Sequence, residues 1–205
     1  MGKWNSTTAG TADTPTNVGN NTLKDILENA ELFSRINLLS EVSLKGDDAS
    51  GDYTYNYPIE VKNSCTLNLN AQSITVAAPA QGETNAPTEV FTIDNGVRFV
   101  IVDEHSGSTN GSFTINSSTA PFNIVAAAQD KTAGTVVIRG GEFSFDPSQY
   151  IEGTTTDAAF GDADATRTFT QNFTDETTGE AKVRTTTVTL SSGTYAVSQT
   201  ITNKE

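Results

Sequence analysis

Residues 135–146 read T-V-V-I-R-G-G-E-F-S-F-D: Val136 and Ile138 alternate, a small polar corner follows, and Phe143 and Phe145 alternate after it. Period-two alternation puts Val136 and Ile138 on one face of a strand and Phe143 and Phe145 on one face of the next. The same pattern stands in other letters at 66–77, T-L-N-L-N-A-Q-S-I-T-V-A, and at 187–198, T-V-T-L-S-S-G-T-Y-A-V-S. In each copy the step between strands is seven residues: Val136 to Phe143, Leu67 to Ile74 and Val188 to Tyr195. Corners of constant size made of G-G, N-A-Q-S and S-S-G predict a right-angled bend onto a neighbouring sheet rather than a reversal.

Outward from these copies the chain is a series of short period-two runs, each bounded by Gly, Asn, Ser, Asp or Pro. They include Val42/Leu44, Ile59/Val61, Phe91/Ile93, Phe99/Ile101, Phe113/Ile115 and Phe122/Ile124. Longer intervals recur as well: 25 residues from Val42 to Leu67, 22 from Phe91 to Phe113 and 23 from Phe113 to Val136. Recurrence at this length is the signature of a solenoid, whose repeats stack because none buries its apolar face alone. Three strands per repeat give the columns Val42, Leu67, Phe99, Val136; then Ile74, Phe113, Phe143; then Ile59, Phe91, Phe122. A two-strand phase would instead pair Leu67 with Phe91 and Phe113. The three-strand phase is preferred because it leaves the polar stretches 78–88 and 127–134 in loops.

Two segments break the period. At Thr22 it changes to that of a helix, with Leu23, Ile26, Leu27 and Ala30 on one face and Thr22 and Asp25 forming a capping box, which predicts an amphipathic helix over about 22–33. Residues 1–20 are rich in Thr, Gly and Asn without periodicity, as expected of an extended arm, and Trp4 within it is a candidate anchor to another protein. Residues 152–182 are an acidic, Thr-rich excursion from the regular pattern, which the chain is expected to rejoin at 185–202. The organisation expected is an arm (1–20), a capping helix with β-helix (21–151), and the excursion with terminal β-helix strands (152–205).

The stretches TLKDILENAELFSRINLLSEVSLKGD, CTLNLNAQSITV, RFVIVDEHSGSTNGSFTIN and TVVIRGGEFSFDPSQYI, which together span about 22–151, resemble right-handed parallel β-helix domains of the pectin-lyase-like type. Such domains occur in surface proteins of gut bacteria and in phage appendages. The resemblance implies an all-β solenoid, a helix capping its open end, three strands per repeat and inward stacks of aliphatic and aromatic residues. It fades after Ile151.

Composition narrows the function classes. Only 18% of the 205 residues are charged, and polarity is carried by Thr, Ser, Asn and Gly, which suits strands and turns rather than disorder. A net charge of −13 with no Lys/Arg stripe argues against nucleic acid and anionic lipid as partners, and no apolar run reaches the ~20 residues of a membrane helix. The single cysteine, Cys65, falls in an alternating strand and is expected to be an inert core residue. No apolar leader is seen at the N-terminus, where M-G-K-W-N-S fits a short myristoylation pattern that the reading sets aside.

Catalytic signals are sparse. His105 in V-D-E-H-S-G reads as a turn residue, and the neighbouring Asp103 and Glu104 would point to opposite faces of a strand. Asp162 and Asp164 alternate as weak calcium candidates, without the rest of an EF-hand loop. Polysaccharide lyases of the resembling fold need calcium-holding carboxylates beside a basic residue; here Arg98, Lys131 and Arg139 read as scattered, with no acidic cluster in register. No enzymatic activity and no cofactor are therefore expected.

The expectation is a non-enzymatic structural or adhesive β-helix protein, a phage virion appendage such as a head fibre or decoration protein. It would attach through its N-terminal arm to a virion or cell-surface protein, touch a surface glycan, and assemble as a homo-trimer, the usual solution among such appendages. The alternative is a bacterial cell-surface adhesin or glycan-binding module, and third stands a polysaccharide-degrading β-helix enzyme.

Overall fold

The computed structural model describes residues 4–7, 16–17, 22–28, 34–47, 54–79, 86–116, 118–157, 159–160 and 164–204. Strands β1 (Trp4–Thr7) and β2 (Thr16–Asn17) precede helix α1 (Leu23–Glu28). The expected capping box closes the helix start: Asp25 N donates to Thr22 Oγ1 at 3.1 Å and Thr22 N donates to Asp25 Oδ2 at 3.0 Å. Leu23, Ile26 and Leu27 are buried in the core, and the rest of the expected helix, 29–33, lies outside the described residues.

The chain then visits three sheets in rotation. The first circuit holds β3 (Arg35–Leu38), β4 (Val42–Leu44), a small antiparallel pair β5 (Gly46–Asp47) and β6 (Thr54–Tyr55), and β7 (Ile59–Val61). The second holds β8 (Cys65–Asn68), β9 (Ser73–Val76) and β10 (Glu89–Ile93), and the third β11 (Arg98–Val102), β12 (Ser112–Ile115) and β13 (Ala120–Ile124). The fourth begins with β14 (Thr135–Ile138) and β15 (Gly141–Phe143). Counterparts in successive circuits pair in parallel, so three ladders result: β3-β8-β11-β14, β4-β9-β12-β15 and β7-β10-β13. The three-strand phase is the one adopted.

Two of the expected columns match the register. Ile59, Phe91 and Phe122 are laddered, as are Ile74, Phe113 and Phe143. The first column is corrected: Leu67 pairs with Ile36 and Ile101, while Phe99 pairs with Cys65 and Val136, and Val42 belongs to the second sheet, opposite Ile74. Inside, Phe91, Phe99, Phe113 and Phe122 meet with ring centroids 5.5 to 6.2 Å apart, several of them edge to face. Cys65 is buried among them, and that burial pushes its thiol up to about 12, an inert side chain as expected.

The corners are stapled by polar side chains between circuits. Asn70 and Ala71 both have positive φ, a pair that could reverse the chain, yet Asn70 Nδ2 donates to Leu38 O (2.7 Å) and Asn68 Nδ2 to Asn37 Oδ1 (3.0 Å). The bend is thereby tied to the circuit before it, and β9 leaves for the second sheet.

The copy at 187–198 does reverse. After β16 (Thr166–Thr174), strands β17 (Ala181–Ser191) and β18 (Thr194–Asn203) form an antiparallel hairpin across Ser192 and Gly193, both at positive φ, and β18 adds antiparallel to β15 with Phe143 opposite Tyr195. The excursion thus returns to the second sheet not as further parallel strands but as a three-stranded antiparallel extension of it. At the other end, β1 lies antiparallel on β3 with Trp4 opposite Leu38, so part of the arm is a strand of the first sheet.

Candidate functional site

Arg98 opens β11 and Arg139 follows β14, where its N donates to Ile101 O at 2.9 Å and prolongs the ladder. Alternation places both on the face of the first sheet that looks away from the core, beside a small buried cluster of Val100, Val102 and Val137. Arg184 comes from β17, opposite Ile201 of β18 and Gln171 of β16. Glu152 joins them, one residue after a short 3-10 turn (Ser148–Tyr150) has ended at Ile151.

The glycine after Glu152 fixes its position. Gly153 has φ of 114°, and a Cβ there would lie 2.6 Å from Thr170 O, so only glycine lets the excursion lie this close to β16. Thr154 N and Thr170 O, and Thr170 N and Thr154 O, then bond at 3.0 and 2.9 Å. Held there, Glu152 Oε1 accepts from Arg98 Nη2 at 2.6 Å and Oε2 accepts from Arg139 Nη2 at 2.8 Å, while Arg184 Nη1 stands 3.6 Å from Oε2.

The electrostatics are those of too many cations around one anion. Burial pushes the Glu152 carboxyl up, but the bonds from Arg139 and Arg98 together outweigh it and leave the group below its ordinary value. Arg184 is lowered, first by burial and then by the charge of Arg139. Its side chain, only 9% exposed, also stacks 4.4 Å over Phe173 and donates to Gln171 Oε1, yet its Nε has no hydrogen-bond partner, nor does that of Arg139.

Arg139 and Arg184 form one wall of a cleft of about 420 Å³ between the third and fourth circuits and β18. Gly140, Asn110, Ser198 and Gln199 line the remainder, and Gln199 Oε1 is also buried without a partner. Asp103 and Glu104 border it, each with its oxygens in hydrogen bonds or an ion pair. Asp103 Oδ1 accepts from Ala71 N (2.9 Å), its Oδ2 accepts from Gly111 N (2.7 Å), and Glu104 pairs with Arg35 at 2.5 Å.

Arg98 and Arg139, which the sequence reads as scattered, are therefore brought together, whereas Lys131 bridges Ala128 in a separate loop. Glu152 and Arg184 were missed. The alternation of Arg98 with Val100 and of Val137 with Arg139 was the available signal for the first pair; nothing periodic marks Glu152. His105 lies in the loop after β11, its Nδ1 3.3 Å from Asp103 Oδ1, so Asp103 serves as a pin between circuits. Asp164 is exposed at a φ of 67°, Asp162 lies outside the described residues, and the described residues contain no group of three or more metal-ligating side chains. Trp4 is placed by its backbone in β1. Comparisons of the chain with protein-family models, curated proteins and solved structures find no match.

Proposed function

We propose that the chain is a non-catalytic structural and adhesive protein, a right-handed parallel β-helix carried on a virion as a head fibre or decoration protein and held through its N-terminal arm. The observation that carries the reading is the placement of the antiparallel additions: β1 on the first circuit and β18 on the last, with parallel ladders between. Parallel ladders leave open edges that invite polymerisation, and antiparallel strands at both limits of a short ladder stack favour a discrete body over a fibril. Right-handed coiling follows the near-universal hand of parallel crossovers. Attachment by residues 1–20 would leave the last circuit and its cleft directed outward, and a trimer would set three such bodies side by side.

The test is to mix purified particles lacking the protein with the full chain and with a chain deleted of 1–20, and to sediment them. Co-sedimentation of the full chain only is expected. Equal attachment of both chains, or of neither, would overturn the anchoring role, and light scattering of a monomer would overturn the trimer.

A further inference from the structure

We propose that the cleft between the third and fourth circuits and β18 binds the carboxylate of an acidic sugar, with Arg139 and Arg184 reading the carboxylate and Gln199 a hydroxyl. This deepens the adhesive part of the reading above and rests on it for its biological setting, but the binding itself is a property of the isolated chain.

Three features of the cleft point to this chemistry. The first is charge: Arg98, Arg139 and Arg184 outnumber Glu152 by two before the bordering acids are counted, on a chain whose total is −13. Of the bordering acids, Glu104 is paired with Arg35, and Asp103, whose oxygens accept backbone N–H groups, keeps its charge and offsets one of the two. The second is the pair of unpartnered buried Nε–H groups, on Arg139 and on the nine-tenths buried Arg184. Buried donors are nearly always satisfied, and the Nε–Nη edge of a guanidinium is the fork that takes a carboxylate in two parallel bonds.

The third feature distinguishes a sugar acid from a bare anion. Gln199 Oε1 is a buried acceptor without a donor. Sulfate offers it none, whereas a sugar acid carries hydroxyls on the same ring as its carboxylate. Asn110 and Ser198 add neutral hydrogen-bonding groups, and a volume of about 420 Å³ matches a small saccharide. A polyanion would bring its remaining charges into the field of the acidic chain, so a single carboxylate is the better match.

The full chain should be titrated with sodium glucuronate, glucose and sodium sulfate at constant ionic strength, by calorimetry and by NMR of the arginine Nε–H groups. Saturable glucuronate binding at about 1 mM is expected, with glucose and sulfate weaker by about ten-fold or more. The Nε–H resonances of Arg139 and Arg184 should shift with it. Arg139→Lys keeps the charge and loses the fork, so it should weaken glucuronate by about ten-fold. Gln199→Ala should weaken glucuronate and leave sulfate unchanged, and because it removes no member of the ion cluster, retained sulfate binding separates lost recognition from a folding defect. No saturation by about 10 mM, or sulfate bound as tightly as glucuronate, overturns the proposal. Glucuronate binding by a chain that fails to join particles would refute the attachment reading alone, and attachment without glucuronate binding would refute the sugar site alone.

Discussion

Replacing Glu152 with glutamine keeps the shape of the side chain and removes the one anion among three arginines. In the native protein its oxygens lie 2.6 Å from Arg98 Nη2, 2.8 Å from Arg139 Nη2 and 3.6 Å from Arg184 Nη1. Breaking a fully buried ion pair from one side costs about 3–5 kcal/mol, because the partner is left charged and dry. Glu152 is 25% exposed and Arg98 42%, so water relieves part of this, and about 2–3 kcal/mol is the expected loss at pH 7. The pH dependence has a definite sign. The folded carboxyl titrates below its unfolded value, so its contribution is complete above about pH 4.3 and disappears as pH falls through the folded pKa. Urea unfolding of Glu152→Gln and the parent chain should therefore differ by about 2–3 kcal/mol at pH 7 and draw together as the pH falls below about 4.3, with unchanged m. A difference below about 0.5 kcal/mol at pH 7, or one that persists undiminished in acid, would refute the cluster as described.

Other perturbations read other parts of the account. Phe113→Ala removes a ring that is fully buried and lies against Phe91, Phe122 and Phe145, and should cost about 3–5 kcal/mol in urea unfolding; a loss under about 1 kcal/mol would place the ring outside the core. Gly153→Ala meets both a positive φ and Thr170 O, so a loss of about 2–3 kcal/mol is expected in the same assay, and a neutral change would show that the excursion does not lie on β16. Cys65, with a buried thiol raised to about 12, should resist disulfide reagents at pH 8 and react at once in denaturant; native labelling at the rate of a free thiol would contradict its burial.

How far the sequence carried the fold depends on what alternation can decide. It identifies the inward face of a strand, and it found both the Ile59–Phe91–Phe122 and the Ile74–Phe113–Phe143 ladders. It cannot decide between registers two residues apart, because both keep the same face inward. In R-F-V-I-V both Phe99 and Ile101 qualify as the partner of Leu67, and the register takes Ile101. Strand β3 was overlooked because R-I-N-L follows directly on the helical pattern, and its absence displaced Val42 into the wrong sheet.

Corner chemistry was equally ambiguous. Asn70-Ala71 and Ser192-Gly193 both adopt positive φ; one pair bends and the other reverses because Asn68, Asn70 and Asp103 tie the first to neighbouring circuits, whereas strands of eleven and ten residues flank the second and pair with each other. The ion cluster was half legible. Arg98 and Arg139 share a face by alternation, but Glu152 lies 54 residues from Arg98 in an aperiodic segment whose course is set by Gly153 and β16.

The proposal that this chain is displayed on a virion and held there by its N-terminal arm is open to a direct test. Immunogold labelling with an antibody to the β16–β18 sheet, viewed by electron microscopy on purified particles and on the cells that produce them, tests it most directly. The account predicts gold on the particle surface, and its loss from particles made with a chain lacking residues 1–20. Gold on the cell envelope with none on particles would contradict it.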